Sequence, residues 1–284
     1  MPTHIACLTF DLDNASAVIS RGMTTPTMIS RGDFGVVATD RILALLADKG
    51  IPTTWFVPGH TIETYPRSVE KVVAGGHEIG HHGWTHRIPS SLSREEEEQE
   101  FLRGNAAIVE LTGHKARGYR SPAWDLSPHS IDLMLEQGFL YDSSLMGHDY
   151  LPYQARRPDS VEMLEPIRRG TDTPLVEMPI SWSLDDFPVF EYMRYPNLIQ
   201  PGLMNAGLVL ENWLADFRYL VDTHDWGILT YTFHPHVIGR GHRMTMLAGL
   251  IQGLQQAGAV FLTMEDAVAA YRQRYPDGRS EDIS

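Results

Sequence analysis

The sequence has few of the features that define several common protein classes. It contains a single cysteine, so no internal disulfide can form, and no segment approaches the roughly 20 apolar residues of a membrane-spanning helix. The cysteine, Cys7, lies in the apolar run IACLTF without a motif that would activate a thiol. We interpret Cys7 as a small buried side chain and exclude a disulfide scaffold.

Positive charge is also scarce. The 284 residues include 23 Lys and Arg against 36 Asp and Glu, which gives a formal net charge of −13. Such an acidic chain is repelled by phosphate, so we expect neither nucleic acid nor an anionic membrane as a partner. A strand-like pattern begins within five residues and leaves no room for a secretory signal. With Met1 as the native start, we expect a cytoplasmic protein.

Apolar runs alternate with amphipathic segments along most of the chain. This order is typical of an α/β fold in which helical crossovers join parallel strands. The candidate strands are 5–10, 53–57, 77–80, 118–121, 139–143, 175–181, 228–233 and 260–264, and the candidate helices are 39–50, 95–111, 127–138, 205–222 and 244–258.

Two stretches, 14–37 and 145–174, lack this periodicity and are interpreted as long loops. No linker divides the chain. We therefore expect a single catalytic domain over 1–275, which is within the size of one α/β barrel, followed by a polar tail over 276–284.

Acidic side chains close the first candidate strand in the motif FDLD. Asp11 and Asp13 are two residues apart in an extended chain, so their side chains share a face and can point at one site. In a parallel barrel, catalytic side chains collect where strands end and loops begin. The pair is therefore a candidate for a functional site, although such residues can also cap a loop.

Two histidines follow the third candidate strand in the motif HGWTH. His82 and His86 can reach one point if this segment forms a helical turn. One carboxylate with two imidazoles suits zinc, and cobalt, nickel, manganese or iron are also acceptable. We therefore predict one divalent metal ion, with zinc preferred, bound by Asp13, His82 and His86.

Acid–base chemistry can be assigned to neighbouring side chains. Asp11 lies beside the predicted ion and can take a proton from water. Arg120, in YRSPAW, can keep Asp11 ionised through a bidentate pair. His234 closes the seventh candidate strand in YTFHPH and can protonate a leaving nitrogen, while Asp185 or Asp186 holds its charged form.

Two tryptophans lie beside these polar candidates. Trp124 follows Arg120 in RSPAW and Trp182 precedes the acidic pair in ISWSLDDFP, so we interpret both as pocket walls. Further expected substrate contacts are Asp186 and, in the two long loops, Arg31, Asp149 and Tyr153.

Together these motifs resemble the polysaccharide deacetylase family, the metal-dependent N-deacetylases that include chitin and peptidoglycan deacetylases. TFDLD resembles the family's first motif, HGWTH its second and RSPAW its third, and the late histidine of the family falls on His234. The resemblance spans nearly the whole chain and implies the same base, metal-ligand and orienting roles given above. The fold that it implies is a distorted (β/α) barrel of seven or eight mostly parallel strands.

The sequence departs from the family pattern at Gly83, where Ser or Thr commonly follows the first histidine of the second motif. The stretches TTWFVPGHTIETYP, SLDDFP and HPHVIGR resemble a subgroup of cytoplasmic allantoinase-like proteins, cyclic imide hydrolases and peptidoglycan deacetylase-like proteins. Members of that subgroup tend to be homotetramers, so the resemblance implies the same assembly here.

The favoured function is that of a metal-dependent hydrolase of a non-peptide C–N bond in a small cyclic imide or ureide. The first alternative is an N-deacetylase of peptidoglycan or chitooligosaccharide sugars, which would need an open groove. The second alternative is a non-catalytic barrel that binds metal or sugar. It predicts loss of the base, the acid or the arginine, and all three are present.

Overall fold

The strands and helices follow one another in the predicted α/β order in the computed structural model, which describes residues 3–194 and 199–278. In chain order the strands are β1 (Thr3–Asp11), β2 (Thr54–Val57), β3 (Glu78–His81), β4 (Gly118–Tyr119), β5 (Tyr141–Asp142), β6 (Tyr153–Arg156), β7 (Asp172–Glu177), β8 (Met193–Arg194), β9 (Ile199–Gln200), β10 (Trp226–Phe233) and β11 (Val260–Phe261).

The helices fill most of the segments between these strands. In chain order they are α1 (Ser16–Ile19), α2 (Pro26–Lys49), α3 (Gly59–Thr64), α4 (Pro66–Ala74), α5 (Arg94–Thr112), α6 (Ser130–Gln137), α7 (Asp186–Phe190), α8 (Ala206–Thr223), α9 (Pro235–Ile238), α10 (Gly241–Gln256) and α11 (Met264–Arg274). Short 3₁₀ turns lie at Pro89–Ser91, Pro122–Trp124 and Trp182–Leu184.

Nine strands form one curled, mostly parallel sheet. Its order is β10-β1-β2-β3-β4-β5-β7-β6, and β11 pairs with the part of β1 that β2 leaves free. All neighbours are parallel except β6 and β7. Within the described ranges no pairing joins β10 to β6, so the sheet is a half-barrel. The predicted distorted barrel of seven to eight mostly parallel strands is confirmed.

The two faces of the sheet are both buried. Along β1, Ala6, Leu8 and Phe10 belong to the main core, while Ile5 and Cys7 belong to a second core on the opposite face. This alternation follows from the two-residue period of a strand. Cys7 is fully buried, as predicted, and burial raises the pKa of its thiol.

The pairing of β1 with β10 determines what meets at the end of the sheet. The two strands run in register from Thr3 opposite Trp226 to Phe10 opposite Phe233. The residues that come next are Asp11 and His234, which therefore leave neighbouring strands at the same level. The carboxyl ends of parallel strands lie at one edge, so β3 and β4 bring their following residues to the same place.

All eight candidate strands are present, but the two segments interpreted as loops contain more structure than predicted. Half of 14–37 belongs to the long helix α2, which begins at Pro26. Its first turns carry Gly32, whose missing side chain allows close contact with the backbone of Ala15. Packing therefore overrides weak helical propensity there.

The segment 145–174 also contains structure that periodicity did not indicate. It contains β6 and the start of β7, which form an antiparallel pair with a register shift between Gln154 and Arg156. That irregularity interrupts the two-residue pattern by which a strand is recognised. The end of the predicted polar tail, 279–284, lies outside the described residues.

Two buried carboxyl groups face each other at the ends of β5 and β7. Asp142 and Glu177 are paired in register and fully buried. Ser144 donates its Oγ–H to Asp142 and its N–H to Glu177. Burial raises the pKa of Asp142 to about 6 and that of Glu177 well above its usual range, so the pair keeps a proton to a higher pH than exposed carboxyl groups do.

We predict that Glu177→Gln reduces the pH dependence of stability. The folded state keeps a proton that the unfolded chain has already released, so the pair's contribution to stability falls as pH rises. One proton changes the free energy of unfolding by at most about 1.4 kcal/mol per pH unit. Urea unfolding of metal-free protein should show the variant gaining on the wild type from pH 5 to pH 8.

The exposed carboxylate Glu162 provides the matched control for this experiment, because Glu162→Gln removes the same charge without burial. A stability difference between wild type and Glu177→Gln that stays constant with pH would contradict the idea that the folded pair keeps a proton that the unfolded chain releases.

Candidate active site

Three buried side chains converge at the carboxyl edge of the sheet. Asp13 follows β1, and His82 and His86 lie in the loop after β3. The Nε2 atoms of His82 and His86 each lie 3.3 Å from an oxygen of Asp13, one from Oδ1 and the other from Oδ2. One ligand atom from each residue lies within 4.8 Å of the other two, so this group could bind a metal ion.

The hydrogen bonds around this group fit a metal site. His82 Nδ1 donates to the backbone oxygen of Arg120 at 2.6 Å, and this orients Nε2 toward Asp13. Asp13 Oδ1 is buried without a hydrogen-bond partner among the described residues. Burial opposes ionisation of Asp13, but His86 and His82 outweigh it and lower the pKa of this carboxyl well below its usual range.

The histidines do not reach this point through a helical turn, so that expectation was wrong. The segment from His82 to His86 is an irregular loop, with Gly83 at φ 72° and His86 at φ 63°. A left-handed conformation is rare for a residue with a side chain. The loop with these two left-handed residues, and not a helical turn, places both imidazoles beside Asp13.

Asp11 is held by a buried arginine, as predicted, although through one nitrogen. Arg120 Nη1 donates to Asp11 Oδ1 at 2.8 Å and to Thr9 Oγ1 at 2.8 Å. Its Nε and Nη2 donate to the backbone and side-chain oxygens of Ser143. The guanidinium also lies 4.3 Å from the ring centre of Phe56. Arg120 is fully buried, and these contacts together fix the orientation of its guanidinium.

His234 faces the carboxylates from the neighbouring strand. Its Nε2 lies 4.0 Å from Asp11 Oδ2 and 3.8 Å from Asp13 Oδ2. Its Nδ1 donates to Asp186 Oδ1 at 2.8 Å, and the same oxygen accepts from the His234 backbone N–H. Burial alone would lower the pKa of His234, but Asp185 and Asp186 raise it to about 10.

The structure distinguishes the two aspartates after Trp182, which the sequence left as alternatives for holding His234. Asp186, expected to contact substrate, is fully buried and orients His234. Asp185 lies farther from His234 Nδ1, at 3.5 Å, and lines the cavity while capping α7 through the N–H of Phe187. Sequence spacing could not separate adjacent residues, since the local backbone decides which one points inward.

A cavity of about 300 Å³ contains these groups. Trp124 and Trp182 stack with a 6.4 Å centroid separation and a 12° interplanar angle, and Trp182 is 57% exposed at the rim. Both are pocket walls, as predicted. The remaining lining residues are Asp11, Asp13, Ala17, Arg21, His82, His86, Ala123, Asp185, Phe187, Pro188 and His234.

The other expected substrate contacts lie elsewhere. Arg31 pairs with Glu191 and donates to the Tyr192 carbonyl, and it is outside the cavity lining. Tyr153 lines a second cavity of about 530 Å³. Asp149 is exposed and also lies outside the lining of the first cavity.

Sequence reasoning missed five residues of the lining, which are Ala17, Arg21, Ala123, Phe187 and Pro188. Arg21 follows α1 in a segment without periodicity, and Phe187 lies within α7. For Phe187 the only sequence signal was its position after the acidic pair in SLDDFP. For Arg21 the sequence offered none.

Similarity to known proteins shows that the chain is a hydrolase that acts on amide C–N bonds. Residues 5–141 match the polysaccharide deacetylase family. The chain is 33% identical to a peptidoglycan deacetylase of Helicobacter pylori, over 90% of this chain and 91% of that one. It is 26% identical to a peptidoglycan deacetylase-like protein of Gibberella zeae, over 92% of this chain and 84% of that one. The chain belongs to the polysaccharide deacetylase family.

Solved structures agree with this assignment. A candidate polysaccharide deacetylase of Mycobacterium smegmatis superposes with a TM-score of 0.80 at 30% identity, over 96% of this chain and 91% of that one. An allantoinase, PuuE, superposes with a TM-score of 0.75 at 20% identity, over 96% and 91% of the two chains, and so shares the fold. None of the helices in the described ranges has the length and apolar character needed to cross a bilayer.

We predict that Arg120→Met lowers the free energy of unfolding by roughly 3–5 kcal/mol, because it leaves Asp11 buried without its charge partner. The double variant Asp11→Asn with Arg120→Met should lose less, since no charge is then unpaired. Urea unfolding of the metal-free proteins measures both. Equal losses in the single and double variants would contradict a stabilising ion pair.

Proposed function

We propose that this protein is a metal-dependent hydrolase of a small cyclic imide or ureide. The observation that carries the proposal is one small cavity with aromatic walls into which the Asp13–His82–His86 group, Asp11 and His234 all face. The family supplies the reaction class, and the size of the cavity favours a small ring.

Asp13, His82 and His86 would hold one divalent cation, with zinc preferred. Two imidazole nitrogens and one carboxylate leave coordination positions open, as in catalytic zinc sites. When bound, such a cation supplies Lewis acidity, which polarises a carbonyl oxygen and lowers the pKa of water.

Two side chains of the chain then move protons. Asp11, paired with Arg120, takes a proton from the attacking water. His234, whose charged form Asp185 and Asp186 favour, faces the same cavity and gives a proton to the leaving nitrogen. Because the two groups are buried and aimed by hydrogen bonds, neither has to reorient during the reaction.

The walls of the cavity would bind the flat part of the substrate. Trp124 and Trp182 form a continuous stacked surface beside Asp185 and His234. A planar imide or ureide ring can lie against an indole face with its carbonyl directed at the metal-ligand group. Arg21, at the mouth, can donate to a second carbonyl of such a ring.

The second candidate function is N-deacetylation of an amino sugar in peptidoglycan or chitooligosaccharide. The identity to the Helicobacter pylori peptidoglycan deacetylase over nearly the whole of both chains favours it. The same attack would then fall on an acetamide, and Trp182, exposed at the rim, would stack on a sugar ring.

From the family resemblance we also infer a single domain over 1–275, a homotetramer and a cytoplasmic location.

The substrate is tested by offering purified protein succinimide-like imides, allantoin and N-acetylglucosamine oligomers, each with and without a chelator. We expect ring-opened acid from an imide or ureide and loss of turnover with the chelator. Acetate release from the oligomers alone would reject the imide proposal and support the deacetylase. Turnover that survives complete metal removal would reject metal dependence.

Asp11→Asn tests the proposed base. The amide keeps the shape of the side chain but cannot take a proton, so kcat should fall at least about 100-fold while bound zinc stays at the wild-type level. Metal content by mass spectrometry and single-substrate kinetics measure the two effects. Unchanged turnover would remove Asp11 from the reaction, and loss of zinc would place it among the ligands.

A further inference from the structure

The loop that carries both candidate metal-ligand histidines is held by a buried glutamate of α5. The N–H groups of Trp84 and Thr85 donate to Glu100 Oε2 at 2.7 and 2.6 Å. The Thr85 hydroxyl donates to Glu100 Oε1 at 2.8 Å, and Arg87 lies 3.3 Å from the same oxygen. Glu100 is only 7% exposed, so these charge-assisted bonds are protected from water.

The opposite side of this loop is held by α3. The backbone oxygens of Gly83 and Trp84 accept from the N–H groups of Gly59 and His60, at 3.1 and 2.9 Å. The peptide groups between the two histidines are therefore bonded in both directions, by a side chain on one side and by helix N–H groups on the other. This leaves the loop little freedom to change its backbone angles.

Helix α5 packs closely against the same loop. A side chain at Gly104, one turn after Glu100, would lie 2.9 Å from the Gly83 carbonyl oxygen and would collide with His81. The guanidinium of Arg103 lies 4.0 Å from the centre of the Trp84 ring. The hydrogen bonds to Glu100, the close packing at Gly104 and the contact between Arg103 and Trp84 thus fix the distance between α5 and the loop.

The loop needs this support because His86 is in a left-handed conformation, with φ 63°. Such a conformation is unfavourable for a residue with a side chain and persists only where the surrounding structure enforces it. With this φ, His86 Nε2 lies 3.3 Å from Asp13. Relaxation of the loop to an ordinary conformation would turn the imidazole away.

We propose that Glu100 is a positioning residue for the metal site: it holds the loop so that His82 and His86 aim at one point. The inference rests on the proposed function, in which those histidines bind the ion. Glu100 does not contact the ion's position, so it acts through Thr85 and the backbone.

The same helix offers a matched control. Glu97 is 1% exposed and accepts from the hydroxyls of Ser127 and Ser130, where α6 begins. It is a buried glutamate of similar hydrogen bonding that supports a different part of the fold. Glu97→Gln should therefore lower the melting temperature, as Glu100→Gln should, without disturbing the metal loop.

The experiment measures zinc affinity by competition with a chromophoric chelator for the wild type, Glu100→Gln, Glu97→Gln and Glu100→Asp. We expect Glu100→Gln to weaken zinc binding about 10- to 100-fold, as for other residues that orient metal ligands. Glu97→Gln should stay within about twofold of the wild type, and Glu100→Asp should recover part of the loss. The visible spectrum of the cobalt-substituted protein should change in Glu100→Gln and not in Glu97→Gln.

If Glu100→Gln fails to fold, Thr85→Ala provides the test, because it removes only the hydroxyl bond to Glu100. Zinc affinity should then fall about threefold, the size expected for one hydrogen bond. Wild-type affinity in Glu100→Gln or, failing that, in Thr85→Ala overturns the proposal for Glu100 and leaves the metal site standing. An equal loss in Glu97→Gln also overturns it. A wild-type protein that binds no zinc overturns the proposed metal site and this inference together.

Discussion

The architecture of the site depends on one buried ion pair, between Asp11 and Arg120. A carboxylate removed from water is stable only when a charge or several donors replace the solvent, and Arg120 is fully buried beside it. The arginine reaches Asp11 from β4, three strands away from β1 along the sheet. It therefore ties the end of β1 to the end of β4 and keeps a charged group buried beside the curled sheet.

The remaining charges of the site are arranged around this pair. Asp13 lies beside the two histidines, and Asp186 accepts a hydrogen bond from His234. Each of these carboxylates therefore has a cationic or donating partner of its own. The side chains that support these partners come from helices and loops outside the cavity, as Glu100 and Ser143 illustrate. Chemistry in the cavity therefore depends on contacts made well behind its surface.

Most of the fold and much of the site were predictable from local patterns. The eight main strands are apolar runs bounded by polar residues, and parallel pairing sends their following residues to one edge. For that reason the sequence alone predicts that Asp11, Asp13, His82, Arg120 and His234 lie close together. The first half of α2 and the strand β6 could not, since a glycine-dependent contact and a register shift obscure the period there.

The sequence by itself determined which polar residues follow which strands and, through its motifs, the family and reaction class. Only the tertiary structure decided which of Asp185 and Asp186 holds His234 and that Arg31 lies outside the cavity. It also decided that the HGWTH segment is an irregular loop with two residues in the left-handed conformation. These outcomes depend on backbone angles and on contacts between residues far apart in the chain. A periodic pattern indicates which face of an element is buried, but it contains no information about backbone angles or about contacts between distant residues.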